Sequence, residues 1–109
     1  MLVGGGTDGP VVPVDPYLSM WWMTTRQVLK GYVLGGEHAI TPKEALQLYT
    51  INNARIQGVE KDRGSIEVGK LADLVVISQD LLAVSADKIR ETRALLTVLG
   101  GKIVYRSGI

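Results

Sequence analysis

The sequence of 109 residues contains no cysteine and a single histidine, His38. Without cysteine the chain can form no disulfide framework, no thiolate zinc site and no cysteine nucleophile, so a reducing, cytoplasmic environment is expected. One histidine cannot supply the three or four protein ligands that a zinc site needs, and no serine stands near it to form a Ser-His-Asp set. We therefore expect His38 to be a solvated loop residue.

An excess of charge of one sign and long apolar runs are also missing. The 12 basic and 11 acidic residues leave a net charge of +1, and they form no basic stripe, so nucleic acid is not an expected partner. No apolar run reaches the roughly 18 residues of a transmembrane helix, and the first residues lack the pattern of a signal peptide. The sequence predicts a soluble protein with no role at a membrane.

The apolar content, in contrast, is high for a small domain. Apolar residues make up 46% of the chain, and its mean hydropathy is +0.16. A single modest core is possible at this length. The excess indicates that some apolar surface contacts partners outside the chain.

Glycine is concentrated near the start, in the stretch Gly4-Gly5-Gly6-Thr7-Asp8-Gly9. A carboxylate on a glycine-rich turn after a strand occupies the place where α/β enzymes keep catalytic groups, which makes Asp8 the leading candidate. The alternative is an Asx turn, in which Asp8 bonds only its own backbone two residues on. A second functional interpretation is a phosphate cradle formed by the three glycines, although neither standard phosphate-binding motif is present.

A first helix is predicted over residues 16–31. Asp15 is placed as its N-cap, Pro16 as its first residue and Gly31 as its end. Prolines at positions 10, 13 and 16 predict an extended loop before it. Four large residues at helical spacing are expected to belong to the core rather than to a pocket: Met20, Trp21, Trp22 and Met23.

A second helix is predicted over residues 42–53. Thr41 and Glu44 have the spacing of a capping box, and Asn52 and Asn53 are expected to end the helix. Tyr49 presents the same choice between core and pocket, and core is again favoured.

The remaining half of the chain has short β-like segments. Turns flank residues 65–67, residues 74–77 form a buried strand, and residues 86–93 can form one or two helical turns. A hairpin of residues 95–99 and 102–106 is joined by two glycines. Asp73 is expected to cap a turn or to pair with Lys70 or Arg63. A sheet this small is only marginally stable alone. We therefore expect it to complete a sheet begun elsewhere.

Three stretches in this order resemble the end of a known enzyme family: GTDGPVVPVDPYLSMWWMTTR, ITPKEALQLYTINNARIQGVEKDRGSIEVGKLADLVVIS and TVLGGKIVY. They resemble the C-terminal end of the amidohydrolase superfamily of metal-dependent hydrolases. The nearest branch is the amidohydrolase-3 or YtcJ-like one, which includes N-substituted formamide deformylases.

The resemblance implies an α/β fragment of a larger fold. Residues 1–57 would be the remnant of a (β/α)₈ TIM barrel, with the end of its eighth strand at Met1–Val3, an active-site loop and two helices. Residues 58–109 would be the C-terminal part of a small composite β-sandwich domain.

The resemblance also implies a role for one residue. Asp8 matches the aspartate that contacts a divalent metal, expected to be zinc, and takes a proton from the attacking water. The family's other residues, a His-x-His pair, a bridging lysine and two further histidines, have no counterpart here. The substrate class would be small molecules with a non-peptide C–N bond, such as an amide or a formamide.

A barrel needs about 200 residues or more, so we expect this chain alone to be an inactive part of an enzyme that lacks its N-terminal barrel portion. It would be a truncated reading frame, a proteolytic or engineered fragment, or one chain of a split enzyme. We expect the isolated chain to bind no metal and to self-associate as a homo-oligomer. The alternative is an autonomous, self-associating interaction module without catalysis.

Overall fold

A computed structural model describes residues 1–9 and 13–108, in which helices precede a small antiparallel sheet. The part of the predicted loop around Pro10 lies outside these residues. The α-helices are α1 (Pro16–Thr25), α2 (Pro42–Tyr49) and α3 (Ile51–Gln57). The strands are β1 (Leu74–Ile77), β2 (Ala94–Leu99) and β3 (Lys102–Arg106). Two 3-10 helices lie between them, at Gly36–His38 and Ala86–Glu91.

Helix α1 begins as predicted but is shorter than predicted. The Asp15 carboxylate accepts hydrogen bonds from the N–H groups of Tyr17 and Leu18, as an N-cap does. The prediction that the helix continues to residue 31 was wrong. Arg26 adopts a left-handed backbone with φ of 57°, and its N–H closes the last turn on the Trp22 carbonyl at 2.7 Å.

The residues after α1 form a tight β-like turn instead of further helix. Gln27 and Val33 pair in an antiparallel bridge, and the Val28 N–H donates to the Tyr32 carbonyl at 2.9 Å. Gly31, predicted to end a helix, has a φ of 95° and lies at this turn. The bridge and the Val28–Tyr32 bond give the backbone groups of the turn hydrogen-bond partners that a longer helix would otherwise have provided. Helix α1 can therefore end at Thr25.

The second predicted helix is two helices that meet at Thr50. The capping box is confirmed, because Thr41 Oγ1 accepts from the Glu44 N–H and the Glu44 carboxylate accepts from the Thr41 N–H, both at 3.1 Å. The prediction that Asn52 and Asn53 end the helix was wrong, since both lie inside α3. Helix α3 ends instead at Gly58, which has a left-handed φ of 72°.

The sheet has the order β1-β2-β3, with both pairs antiparallel. The predicted hairpin is confirmed, and Gly100 and Gly101 have φ values of 56° and 80°, which a primed turn requires. Residues 65–67 form no strand. Ser65 and Glu67 instead bind the ammonium group of Lys70, at 2.7 and 3.1 Å, and so stabilise a turn.

The core lies where α1 packs against α2 and the second 3-10 helix. Its buried members are Met20, Trp21, Ala45, Leu81 and Ile89. Met23 and Tyr49 pack against this cluster from partly buried positions, which agrees with their predicted core role. Trp22 does not: it is 37% exposed, and the Arg26 guanidinium lies over its ring, 3.9 Å from the ring centroid. Leu29 and Tyr32 on the turn after α1 are also exposed.

Candidate functional site

The segment before Asp8 is held against helices α2 and α3. The Gly5 N–H donates to the Leu48 carbonyl at 3.0 Å. The side-chain amides of Asn52 and Asn53 donate to the carbonyls of Val3 and Gly5, each also at 3.0 Å. Met1–Val3, expected as the remnant of a strand, belong to no sheet in the described chain, because helices rather than neighbouring strands satisfy this part of the backbone.

The glycines of this segment are explained by close approach rather than by anion binding. A Cβ at Gly4 would overlap Asn53 Oδ1, and a Cβ at Gly5 would lie 2.8 Å from the Tyr49 ring. A Cβ at Gly6 would have no such neighbour within 4 Å. None of the three has a positive φ, whereas an anion nest requires alternating right- and left-handed residues. The phosphate-cradle interpretation therefore has no support from the backbone.

Asp8 lies at the exposed end of this segment. Its φ of 54° places it in the left-handed region, which aspartate tolerates better than most residues. The alternative Asx turn would need the N–H of residue 10, which lies outside the described residues and, as a proline, has no N–H. Among the described residues, the Asp8 carboxylate accepts no hydrogen bond.

The described residues do not form a complete metal site. No three His, Cys, Asp or Glu side chains come together within residues 1–9 and 13–108. His38 has a side chain that is 72% exposed and lies 3.5 Å from the Glu37 carboxylate, which confirms its predicted solvated position. An aspartate carboxylate such as that of Asp8 offers oxygen atoms that can ligate a metal, but one residue is fewer than the three or four protein ligands of a zinc site.

Asp73 has a structural role, as predicted. One carboxylate oxygen accepts from the Gly100 N–H at 2.7 Å, and the other lies 3.4 Å from Arg63 Nε. It therefore caps the hairpin turn and pairs with Arg63, whereas Lys70 pairs with Glu67.

A cavity of about 520 Å³ lies between helices α2 and α3 and strand β1. No sequence pattern predicted this cavity. Leu46, Ala54, Leu74 and Val75 contribute apolar walls, and Asn53, Arg63 and Asp73 contribute polar groups. Tyr49 also lines it, and the Tyr49 hydroxyl is buried without a hydrogen-bond partner among the described residues.

The asparagines of α3 are the site residues that sequence reasoning missed. Asn52 and Asn53 contact residues 49 and 48 positions away, so no local pattern identifies their partners. Asparagine has a low helix propensity, so two adjacent asparagines inside a helix indicate that their side chains have another role. This mismatch between residue type and helix was the signal available in the sequence.

Comparisons with known proteins all identify the same enzyme family. A sequence model described as Amidohydrolase family matches residues 1–105. The chain is 35% identical over 99 residues to an N-substituted formamide deformylase of Arthrobacter pascens, covering 91% of this chain and 18% of that protein. It is 34% identical over 108 residues to the amidohydrolase YtcJ of Bacillus subtilis, covering 96% of this chain and 20% of that protein.

A solved structure extends the similarity to three dimensions. An amidohydrolase from Thermotoga maritima superposes with a TM-score of 0.73 at 25% identity, covering 98% of this chain and 24% of that one. The chain thus spans about a fifth of the length of the curated relatives it matches. None of the helices in the described part of the chain has the length and apolarity needed to cross a bilayer.

Proposed function

Because the chain belongs to the amidohydrolase family, we propose that it is the C-terminal part of a metal-dependent hydrolase that cleaves non-peptide C–N bonds. The single observation that carries the proposal is the family match over residues 1–105, a span that includes Asp8. The substrate class is a small molecule with an amide-type or formamide-type bond, in keeping with the name of the deformylase relative.

We propose that residues 1–57 belong to a TIM barrel and residues 58–109 to a composite β-sandwich. Exposed apolar side chains support this division. Ile103, Val104 and Tyr105 of β3 are each about half exposed, at 53%, 59% and 49%. Apolar side chains on a strand are stabilised by packing against further sheet or helix, which the remaining part of such an enzyme would provide.

Asp8 is the proposed catalytic residue. Its carboxylate would accept a proton from the water molecule that attacks the substrate carbonyl and would then deliver that proton to the leaving nitrogen. A divalent metal, expected to be zinc, supplies in such sites a water molecule whose pKa is lowered toward neutrality. Since Asp8 is a single ligand, this chain would bind such a metal only together with residues from outside it.

Complementation in trans tests this proposal. The full chain would be co-expressed with the Arthrobacter deformylase from which the matching segment has been removed, and formate release from an N-substituted formamide would be measured with and without added zinc. We expect the wild-type chain to restore hydrolysis. Asp8→Asn, which keeps the shape of the side chain but loses the base, should reduce the rate at least about 100-fold.

Asp87→Ala is the matched control, because Asp87 is an exposed carboxylate in the 3-10 helix Ala86–Glu91, outside the residues that contact the Asp8 segment. It should restore hydrolysis as well as the wild-type chain does. Failure of the wild-type chain to restore any activity would contradict the proposed function. Full activity with Asp8→Asn would contradict the role of Asp8.

A self-associating interaction module is the second candidate. The turn after α1 exposes Leu29, Tyr32, Val33 and Leu34, at 76%, 58%, 57% and 55%. Contiguous exposed apolar residues favour association with another protein surface. Size-exclusion chromatography with light scattering would decide: a homo-oligomer supports self-association, and a stable monodisperse monomer contradicts it.

A further inference from the structure

Gly5 is bound to the helices through both of its backbone groups. Its N–H donates to the Leu48 carbonyl at 3.0 Å, and its carbonyl accepts from Asn53 Nδ2 at 3.0 Å. The asparagine contact is partly buried, so water competes for it less than at an exposed site. This pair of bonds joins the start of the chain to both α2 and α3.

Asn53 also disfavours one shift in the register of the segment. Its Oδ1 atom occupies the position where a Cβ of Gly4 would stand, and the Tyr49 ring lies directly against Gly5. Sliding the segment so that Val3 takes the place of Gly4 would bring the Val3 side chain against Asn53 Oδ1, and the Asn53 amide would have to move away from Gly5 to make room. The observed placement of Gly4 is therefore favoured over one that puts Val3 against α3.

The constraint is transmitted to Asp8 over a short distance. Only Gly6 and Thr7 separate Gly5 from Asp8, a span of at most about 11 Å in extended chain. Gly6 has nothing within 4 Å of its Cβ position, and among the described residues neither Gly6 nor Thr7 forms a hydrogen bond. In the described chain the last point of attachment before Asp8 is thus the Asn53–Gly5 contact.

We propose that Asn53 is a positioning residue for Asp8, which it serves by holding the Gly5 carbonyl against α3; this inference rests on the catalytic role proposed for Asp8. Asn53 touches neither substrate nor reacting atoms in this scheme. It fixes the backbone from which the Asp8 carboxylate extends, and small displacements of a catalytic group are costly to the rate.

Two substitutions remove the contact in different ways. Asn53→Ala deletes the donor and introduces a better helix former, so the helix itself is not weakened. Asn53→Asp keeps the size of the side chain but places a carboxylate oxygen against the Gly5 carbonyl. Gln57→Ala is the matched control, because Gln57 is an exposed amide side chain on the same helix and forms no hydrogen bond among the described residues.

Nuclear magnetic resonance of the full chain provides the first measurement. Both Asn53 variants should speed hydrogen exchange of the Gly5 N–H about 2- to 10-fold and lower the ¹⁵N heteronuclear NOE at Gly6, Thr7 and Asp8. Gln57→Ala should change neither. Unchanged exchange at Gly5 and unchanged NOE values through Asp8 in both Asn53 variants would overturn the proposal.

Kinetics of the complemented enzyme provide the second measurement. The Asn53 variants should lower kcat about 10- to 100-fold, with KM and the midpoint of thermal unfolding near the wild-type values. A variant that loosens the Asp8 segment but leaves kcat unchanged would overturn the positioning role. Should the wild-type chain itself restore no hydrolysis, the proposed function fails, while the resonance data still decide whether Asn53 holds the segment.

Discussion

The Asp73 carboxylate accepts a hydrogen bond from the Gly100 N–H at 2.7 Å, across 27 positions of sequence. The same carboxylate lies 3.4 Å from Arg63 Nε. One side chain immediately before β1 therefore joins the hairpin turn between β2 and β3 to the loop that follows α3. The Gly101 N–H reinforces this junction by donating to the Ala72 carbonyl at 3.0 Å.

Asp73→Ala should lower the free energy of unfolding by about 1–3 kcal/mol, because the Gly100 N–H loses a charged acceptor. Asp73→Asn retains an acceptor for Gly100 and loses only the ion pair, whose Arg63 side chain is 54% exposed, so its cost should be below about 1 kcal/mol. Urea unfolding measures both, with Asp87→Ala as the control. Equal losses in the two Asp73 variants would show that the ion pair, not the hydrogen bond, dominates.

The features predicted correctly from sequence are those whose partners lie within a few residues. The Thr41–Glu44 capping box, the Asp15 cap and the two-glycine hairpin each depend on contacts between near neighbours, and the structure confirms them. The prediction that α1 continues to residue 31 was wrong because the Gln27–Val33 bridge forms in place of further helix. The helical spacing of apolar residues carries no information about that bridge.

The residues of the candidate site also differ in whether their neighbours in sequence reveal them. Asp8 could be singled out from its glycine-rich surroundings, and its catalytic role stays a prediction. The role of Asn53 could not be assigned from sequence, since its partner is 48 residues away and the pair Asn52-Asn53 was interpreted as a helix end. The cavity against β1 depends on how α3 lies over the sheet, which no local pattern records.

Gly5→Ala should destabilise the chain by about 1–3 kcal/mol, because the added Cβ would lie 2.8 Å from the Tyr49 ring and force the segment or the ring to move. Gly6→Ala is the matched comparison. It adds the same methyl group where nothing lies within 4 Å and where φ is not positive, so its effect should stay within about 0.5 kcal/mol. Thermal and urea unfolding would measure the difference. A Gly5→Ala variant as stable as Gly6→Ala would contradict the close packing of this segment on α2.

Ile89→Ala should cost about 2–5 kcal/mol, because Ile89 is only 1% exposed and its removal leaves a cavity in the cluster around Trp21. So large a loss can unfold a small domain outright, so Ile89→Val, expected at about 0.5–1.5 kcal/mol, provides a folded variant for measurement. Ile66→Ala is the control, since Ile66 is 87% exposed. Equal stability losses at positions 66 and 89 would contradict the assignment of the core.

The Glu44 carboxylate should titrate below its ordinary pKa of 4.5, because the Thr41 backbone N–H and then the Thr41 hydroxyl donate hydrogen bonds to its charged form. A pKa that is lower in the folded than in the unfolded chain contributes stability above the unfolded value, and that contribution is lost as the pH falls through the folded pKa.

Thr41→Ala removes the hydroxyl and should raise the pKa of Glu44 part of the way back. The stability difference between wild type and Thr41→Ala should therefore be smaller below about pH 4.5 than at pH 7, because the part that depends on the charged Glu44 carboxylate is lost on protonation. Side-chain carboxyl titration by nuclear magnetic resonance, combined with urea unfolding at neutral and acidic pH, measures both effects. Glu44→Gln, which keeps an acceptor oxygen but cannot titrate, should flatten the pH dependence of unfolding in this window; an unchanged slope would exclude Glu44 as its source.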